Sequence, residues 1–221
     1  MKKNQHITVL MGGWNCEREV SLRSGEAVYQ ALIKLGYAAT KIDFSRNIAK
    51  DLDAAKPDVV FNALHGQYGE DGAIQGLLDI LNIPYTHSGI MASAVCMDKV
   101  LTRKICDLYG VKSPDFAILK KGKNEENNRK ISQIGKPFVI KPISEGSSVG
   151  VEVILTENNF EIEKYSWQFG VEIIIEKYIA GSEIQVAVMD GRALGAIEIR
   201  PKKLFYDYEC KYTAGMTDYI M

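Results

Sequence analysis

Between positions 139 and 150 the sequence reads Val139-Ile140-Lys141-Pro142-Ile143-Ser144-Glu145-Gly146-Ser147-Ser148-Val149-Gly150. A β-type run ends on a lysine, and a loop of small and hydroxyl-bearing residues precedes the next apolar run. An ammonium charge beside flexible amide and hydroxyl donors suits a polyphosphate. A hairpin with a surface lysine is the alternative. The clustering of glycine and serine favours a loop that closes over a nucleotide, although neither a P-loop nor a G-x-G-x-x-G motif occurs.

The composition excludes several classes of protein. The 221 residues are 46% hydrophobic and 25% charged, as in ordinary globular proteins. With 27 basic and 28 acidic residues the net charge is -1, so neither a nucleic acid nor a membrane partner is predicted. Apolar runs are too short for a membrane span and the N-terminus has no secretory pattern, so a cytoplasmic location is expected. The four cysteines form no C-x-x-C pair, which argues against a disulfide framework or a zinc site.

The first ninety residues alternate short β-type runs with amphipathic stretches, which predicts a parallel sheet covered by helices. Ligand groups in such folds lie at the carboxyl ends of the strands, which here means residues 12–17 and 65–72. The pattern predicts strands at 6–11, 39–44, 58–64 and 83–86, and helices from 21 to 35, at 48–55 and at 74–81.

The pattern changes after Gly89. The spacing predicts one long helix over 91–109, a solvated surface loop and helix start over 120–130, and then a mainly antiparallel sheet. Strands are predicted at 116–119, 137–141, 150–155, 171–178, 183–189, 193–199 and 204–208, with a helix near 158–167 and a hairpin turn at Asp190-Gly191.

Three further places carry polar groups where a core would not need them. Glu17 follows Gly12-Gly13, where a carboxylate suits a substrate ammonium; an exposed glutamate in a first helical turn is the alternative. His65 stands at a strand tip, where a purely structural histidine is more common than a ligand. Residues 173–183 are typical of a strand and linker that bind an adenine edge, although a Glu-Lys pair at a strand end is usually an exposed pair.

Six groups of residues follow one another in a consistent order. They are Met11-Gly12-Gly13 with Glu17-Arg18-Glu19-Val20-Ser21, Ala63-Leu64-His65-Gly66 with Gly69-Glu70-Asp71-Gly72, Pro84-Tyr85-Thr86-His87-Ser88-Gly89, Met97-Asp98-Lys99, Lys141-Pro142 with Glu145-Gly146-Ser147-Ser148-Val149-Gly150, and Phe205-Tyr206-Asp207-Tyr208-Glu209-Cys210-Lys211-Tyr212. Over the whole chain they resemble the D-alanine–D-alanine ligase family of the ATP-grasp enzymes. The resemblance implies a Rossmann-like N-terminal α/β domain (1–89), a central α+β lobe (90–180) and an incomplete third lobe (181–221).

The resemblance also implies an activity. It is the ATP-dependent joining of two D-alanines through an acyl phosphate, with Mg²⁺ or Mn²⁺, for peptidoglycan precursor synthesis, in a protein that commonly forms a homodimer. Glu17 would bind the ammonium of the first D-alanine and share a hydrogen-bond set with Ser147 and Tyr212, and His65 would lie near its carboxylate. Tyr212 favours D-alanine over D-lactate as the second substrate.

The nucleotide residues are likewise implied by the resemblance. Phosphate oxygens would be bound by Lys99, Lys141 and Lys211 and covered by the loop of Ser148. Adenine would be bordered by Glu176, Lys177 and Ile179, the latter two partly through their backbone, and the ribose would be held by Glu183.

One departure concerns the metal. The family pattern continues with R-x-D and with E-x-N followed by Pro-Gly, which supply the metal ligands, and neither occurs here. We therefore expect no metal ligands in this chain, a missing C-terminal segment and no turnover by these 221 residues alone. The alternatives are an inactive nucleotide-binding fragment and an ATP-grasp ligase for another pair of amino or hydroxy acids.

Overall fold

The computed structural model describes residues 4–221. The chain divides into two compact units, of which one ends at Thr102 and the other begins at Arg103. Residues 1–3, with which the predicted domain 1–89 begins, lie outside the described residues, and the three-part division at 89 and 180 stays a prediction. None of the helices within residues 4–221 has the length and apolar content that crossing a membrane requires.

The first unit is built on a parallel sheet, as predicted, and its three strands lie in the order β2 (Ala38–Asp43), β1 (His6–Met11) and β3 (Val59–Asn62). Leu10 of β1 packs on one face with α2 and α3, whereas Ile7 and Val9 pack on the other face with Leu32 of α1. Because alternate side chains point to opposite faces, helices cover both sides of the sheet. The elements are β1 (His6–Met11), α1 (Arg18–Lys34), β2 (Ala38–Asp43), α2 (Ile48–Ala55), β3 (Val59–Asn62), α3 (Ala73–Ile80) and α4 (Ile90–Met97).

Two predictions for this region are wrong. Residues 83–86 form no strand, because pairing with β3 is limited to a bridge between Val60 and Tyr85. The helix predicted over 91–109 is two helices, α4 and α5 (Lys99–Leu108), with extended backbone at Asp98 between them. Asp98 Oδ1 accepts the N–H groups of Val100 and Leu101 at 2.8 and 2.9 Å and so caps α5. Apolar spacing continues across the break, so periodicity alone could not reveal it.

The second unit contains a four-stranded antiparallel sheet in the order β4-β7-β5-β6, which confirms the predicted sheet type. Its buried side chains include Phe138, Ile140, Ile173 and Ile175, and Ile131 of α6 packs against them. The elements are β4 (Phe116–Lys120), α6 (Asn124–Ile134), β5 (Phe138–Pro142), β6 (Glu152–Ile154) and β7 (Glu172–Lys177).

A separate antiparallel sheet follows in the order β10-β9-β8. It comprises β8 (Glu183–Met189), β9 (Arg192–Pro201) and β10 (Thr217–Ile220). The predicted hairpin turn is confirmed, because Asp190 and Gly191 have φ values of 49° and 71°, as a two-residue turn between twisted strands requires.

Two predictions for the second unit are wrong. The helix near 158–167 is a single 3-10 turn at Ile162–Lys164, since the aromatic residues around it pack into the sheet core. Residues 204–208 form no strand; α7 (Tyr208–Tyr212) starts there because Asp207 accepts the N–H of Cys210 at 2.8 Å.

Segment 120–130 is the predicted surface loop and helix start, with α6 beginning at Asn124 and most of the charged side chains exposed. Its uncharged Asn127 is buried and bonds both backbone groups of Lys120.

An ion pair at the carboxyl ends of β1 and β2 should make the stability of the fold depend on pH. The Arg18 guanidinium binds both oxygens of Asp43, at 2.7 and 2.6 Å, and this hydrogen bonding lowers the pKa of the Asp43 carboxyl. A lowered folded-state pKa stabilises the fold above the unfolded pKa, and the benefit disappears as pH falls through the folded value. We expect Asp43→Asn to lower the melting temperature at pH 7 by on the order of a degree or two, because the pair is half exposed.

Thermal unfolding of the parent and the variant at pH 7 and at about pH 3, below the usual carboxyl pKa, measures this effect. The difference between the two proteins should shrink at the lower pH. Asp53→Asn, an exposed change on α2, is the control and should show no such trend. A gap that stays constant between the two pH values would contradict the role of the Asp43 charge.

Candidate functional site

The turn after β1 is held against the end of β3. Gly12 and Gly13 both have positive φ, 81° and 90°, a conformation that glycine adopts without a Cβ penalty. The Gly12 N–H donates to Ser21 Oγ at 2.8 Å, and that hydroxyl donates to the Ala63 carbonyl at 2.7 Å. Ser21 therefore joins both loops that the sequence predicts as ligand-bearing.

Glu17 is buried at the start of α1, with 2% of its surface exposed. The alternative interpretation, an exposed first-turn glutamate, is wrong. Its Oε2 lies over Gly66, where a Cβ would overlap it. The fold therefore places this carboxylate between the two loops at the carboxyl edge of the parallel sheet, where ligand groups of such folds lie.

Asn15 links the same two loops and was not singled out by the sequence. Its Nδ2 donates to the carbonyls of His65 at 2.7 Å and Gln67 at 3.1 Å, while its Oδ1 accepts the Glu17 N–H at 2.9 Å. An amide side chain can donate and accept at once, which suits a bridge between two backbones. The one feature of the sequence that could have indicated this role is the position of Asn15 directly after the Gly12-Gly13 turn and Trp14.

His65 is half-buried at the end of β3, and its Nε2 lies 3.3 Å from Ser24 Oγ. The Gly66 N–H beside it donates to Glu70 Oε2 at 2.7 Å. The loop is thus ordered by its own polar groups, and the predicted role of His65 near a substrate carboxylate stays a prediction.

Lys141 and Glu176 lie on neighbouring strands, β5 and β7, and face away from the sheet core. Lys141 Nζ binds Glu176 Oε1 at 2.6 Å, and Arg103 binds Glu176 Oε2. Glu176 is only 7% exposed, so the interpretation as an exposed surface pair is wrong for this residue. Burial lowers the pKa of the Arg103 guanidinium. The sequence reasoning did not identify Arg103, since it contacts Glu176 across 73 positions and no local motif marks it.

The serine loop between β5 and β6 has an unusual backbone. Ser147 and Ser148 both adopt left-handed conformations, with φ of 47° and 61°, which costs energy for residues with a side chain. Each is held by a hydrogen bond: Ser147 Oγ lies 2.6 Å from Tyr212 Oη, and Ser148 Oγ donates to the Tyr206 carbonyl at 2.8 Å. The loop is therefore fastened to segment 206–212, and the pairing of Ser147 with Tyr212 is present as the resemblance implied.

Segment 206–212 is also held by non-covalent contacts of its own side chains. Lys211 Nζ lies 5.2 Å from the centre of the Tyr206 ring, a cation–π distance. Tyr206 Oη lies 2.7 Å from Tyr219 Oη, and burial, followed by this hydrogen bond, raises the pKa of Tyr206. The raised pKa keeps Tyr206 uncharged at pH 7, so Lys211 supplies the positive charge of this segment.

The predicted adenine and ribose residues fall into two groups. A cavity of about 600 Å³ is lined by residues 178–183, 198–201 and 203–205, and so includes Ile179 and Glu183. Lys177 is turned elsewhere: its Nζ donates to the carbonyls of residues 134, 135 and 136 at 3.4, 3.2 and 3.3 Å, where α6 ends. This contact fits a cation at a helix C-terminus, so the Lys177 side chain serves the fold, and its predicted contact with adenine would have to come from the backbone.

The remaining candidates are Lys99, which is half-buried at the first position of α5, and the metal ligands. Within residues 4–221 no three His, Cys, Asp or Glu side chains come together as a metal ion would need.

Comparisons with known proteins agree with this arrangement. The family described as D-ala D-ala ligase C-terminus matches residues 105–221, and the one described as D-ala D-ala ligase N-terminus matches residues 45–88. A D-alanine–D-alanine ligase of Rickettsia bellii is 49% identical over 99% of this chain and 67% of its own length. One of Rickettsia rickettsii is 48% identical over 98% of this chain and 66% of its own length. The chain thus spans about two thirds of these curated relatives.

Solved structures are similar as well. A D-alanine–D-alanine ligase of Bacillus anthracis matches with a TM-score of 0.80 and 36% identity over 97% of this chain and 71% of that one. The same enzyme complexed with ATP matches with a TM-score of 0.79 and 32% identity over 97% and 69%. VanG D-Ala:D-Ser ligase of Enterococcus faecalis matches with a TM-score of 0.75 and 26% identity over 99% and 76%. With both family patterns matched and half of its residues shared with a curated ligase, this chain belongs to the D-alanine–D-alanine ligase family and has its ATP-grasp fold.

Proposed function

We propose that this chain supplies D-alanine-binding and ATP-binding residues to an enzyme that joins two D-alanines into D-alanyl-D-alanine for peptidoglycan precursor synthesis. The observation that carries the proposal is the serine loop. Its two strained serines are held by Tyr206 and Tyr212, and the loop follows directly on Lys141, which is anchored by Glu176. A lysine followed by a fastened hydroxyl loop is suited to phosphate groups.

The chemistry explains why such residues are needed. A carboxylate resists attack by an amine until one oxygen becomes a good leaving group. Transfer of the γ-phosphoryl group of ATP to an oxygen of the first D-alanine carboxylate forms an acyl phosphate and ADP. The amine of the second D-alanine then attacks the carbonyl carbon, the C–O bond to phosphate breaks, and phosphate and a proton are released. Glu17 would hold the ammonium of the first D-alanine, and Lys141 would balance phosphate charge.

ATP is the proposed cosubstrate because the Bacillus anthracis ligase was solved with ATP. Mg²⁺ or Mn²⁺ would accompany the nucleotide and neutralise part of its charge. Within residues 4–221 no three His, Cys, Asp or Glu side chains form a cluster that would hold the ion. A cytoplasmic location and a homodimer belong to the proposal too, and light scattering tests the second.

A second candidate function is ligation with another second substrate, because VanG is named a D-Ala:D-Ser ligase and shares the fold. Tyr212 at the serine loop favours D-alanine. Turnover with D-alanine, D-serine and D-lactate as competing second substrates separates these functions. The assay uses a chain extended by the last third of the Rickettsia bellii relative. Preferential D-serine use would replace the D-alanine assignment.

Lys141→Met tests the phosphate role. The variant keeps most of the length of the side chain but removes the charge, and it leaves Glu176 with Arg103 as its partner. We expect binding of ADP, measured by calorimetry with Mg²⁺, to weaken by roughly tenfold or more, because a charged hydrogen bond to phosphate is lost. Lys164→Met, in the exposed pair with Glu161, is the control and should bind ADP like the parent. If the parent protein does not bind ADP, the result would contradict the proposed nucleotide role of this chain.

A further inference from the structure

Arg103 is a buried cation for which the proposed reaction gives no role. It lies on α5, and its side chain is 12% exposed. One face of the guanidinium is 4.9 Å from the centre of the Phe116 ring. Nη2 binds Glu176 Oε2, whereas Nη1 is buried without a hydrogen-bond partner among the described residues. The contact with Glu176 is therefore a main compensation for burying this charge.

Glu176 stands between two cations. Its Oε1 binds Lys141 Nζ and its Oε2 binds Arg103, so both carboxylate oxygens are engaged from different elements. A carboxylate held at one oxygen only can rotate about its last bonds, and Lys141 would move with it. Two opposed contacts remove that freedom. The two contacts fix the position of the Glu176 carboxylate, and the carboxylate in turn fixes the position of Lys141 Nζ.

The charges of the three residues do not cancel. Two cations and one carboxylate leave a net charge of +1, whereas Lys141 and Glu176 alone would be neutral. In a partly buried place, where screening by water is weak, that difference changes the attraction for an anion. Guanidinium keeps its proton at any physiological pH even where burial works against it, so the positive charge of Arg103 is permanent.

We propose that Arg103 is a positioning residue of the nucleotide site that acts through Glu176. It fixes the carboxylate that orients Lys141, and it maintains the net positive charge that Lys141 presents to phosphate. The proposal rests on the proposed function, because it assigns Lys141 to phosphate. It adds a residue that has no contact with the substrate and whose effect should depend on Glu176.

The geometry separates this role from simple support of the fold. Residues 173 and 175 of β7 point into the hydrophobic core, whereas Glu176 and its two cations belong to the opposite face of the sheet. Removal of Arg103 therefore leaves the core packing intact. It leaves Glu176 with one partner instead of two.

A double-mutant cycle tests the proposal. ADP affinity is measured by calorimetry with Mg²⁺ for the parent, Arg103→Met, Glu176→Gln and the double variant, and folding is checked by thermal unfolding. We expect Arg103→Met to weaken ADP binding by about tenfold in the parent background, as expected when a charged hydrogen bond is lost. In the Glu176→Gln background the same change should add less than about twofold, because the two residues act as a unit.

Arg103→Lys and Arg129→Met complete the experiment. Arg103→Lys keeps the charge and should restore affinity to within about threefold of the parent, and Arg103→Gln takes the place of Arg103→Met in the cycle if the methionine variant does not fold. Arg129→Met removes an exposed arginine on α6 and should have no effect. Equal effects of Arg103→Met in both backgrounds, or parent-like affinity, would overturn the inference. If the parent itself does not bind ADP, the proposed function fails first.

Discussion

Replacement of Gly66 by alanine should reduce turnover of D-alanine by about a hundredfold or more while the protein stays folded. A Cβ at this position would overlap Glu17 Oε2, and the carboxylate is the far end of a flexible side chain, so it moves aside. A displacement of about 1 Å in a substrate-binding group is enough for such a loss. The change should appear as a lower kcat/KM for D-alanine, measured with the chain extended as described above.

Gly66 also has a φ of +64°, so part of the effect could be backbone strain. Gly36→Ala provides the matched control, because Gly36 has a φ of +82° and no atom within 4 Å of a Cβ. Both variants should lose a similar stability, about 1–2 kcal/mol for an alanine in the left-handed region. Only Gly66→Ala should lose turnover. Equal turnover in the two variants would show that Glu17 does not bind substrate.

Replacement of Gly25 by alanine should lower the melting temperature strongly. Gly25 is buried in α1 where that helix crosses β1, and a Cβ would overlap the Met11 side chain, with Sδ only 2.8 Å away. Overpacking of this kind costs about 1–3 kcal/mol, and a distance of 2.4 Å to the Met11 Cβ places this case at the upper end, against a gain of about 1 kcal/mol from alanine in a helix. A net loss of about 2 kcal/mol corresponds to about 4–8 °C in a protein of this size.

Gly76→Ala is the control, because Gly76 also lies in a helix but its Cβ would meet only Ile90 Cδ1, at 3.7 Å. This variant should melt at the parent's temperature or slightly above it. Met11→Ala combined with Gly25→Ala should recover part of the loss, since Cγ and Sδ disappear but the Met11 Cβ remains. A Gly25→Ala protein as stable as the Gly76→Ala protein would contradict the close packing of α1 on β1.

Particular elements show how far the sequence could predict the fold. The strands β1 and β8 and the helix α2 were predicted with the bounds that they have. Their patterns are strong because burial on a sheet face or a helix stripe repeats with the period of the element itself. The failures are of another kind. The break at Asp98 and the start of α7 at Asp207 depend on one capping side chain each, which hydrophobic periodicity does not register.

The candidate site divides in the same way. Glu17 and Lys141 were proposed from the glycine and serine loops at strand ends, and Ser147 and Tyr212 from the family resemblance; their roles stay predictions. The sequence could not predict that Glu17 is buried. Nor could it predict that Asn15 binds the carbonyl of His65, 50 positions away in the chain. Lys177 is the opposite case: it lies inside a predicted motif, but its ammonium group binds backbone carbonyls at the end of α6.

By itself the sequence determined the family, most of the strands and helices in their order, and the parallel character of the first sheet and the antiparallel character of the second; the loops in which ligand groups lie stay a prediction. Only the tertiary structure decided the partners of the charged groups: Glu176 with Lys141 and Arg103, Ser148 with the Tyr206 carbonyl, and Glu17 over Gly66. The physical reason is that a local pattern records which face of an element is buried. The partner of a buried charge is chosen by strand register and packing between residues far apart in the chain, and no local spacing records that choice.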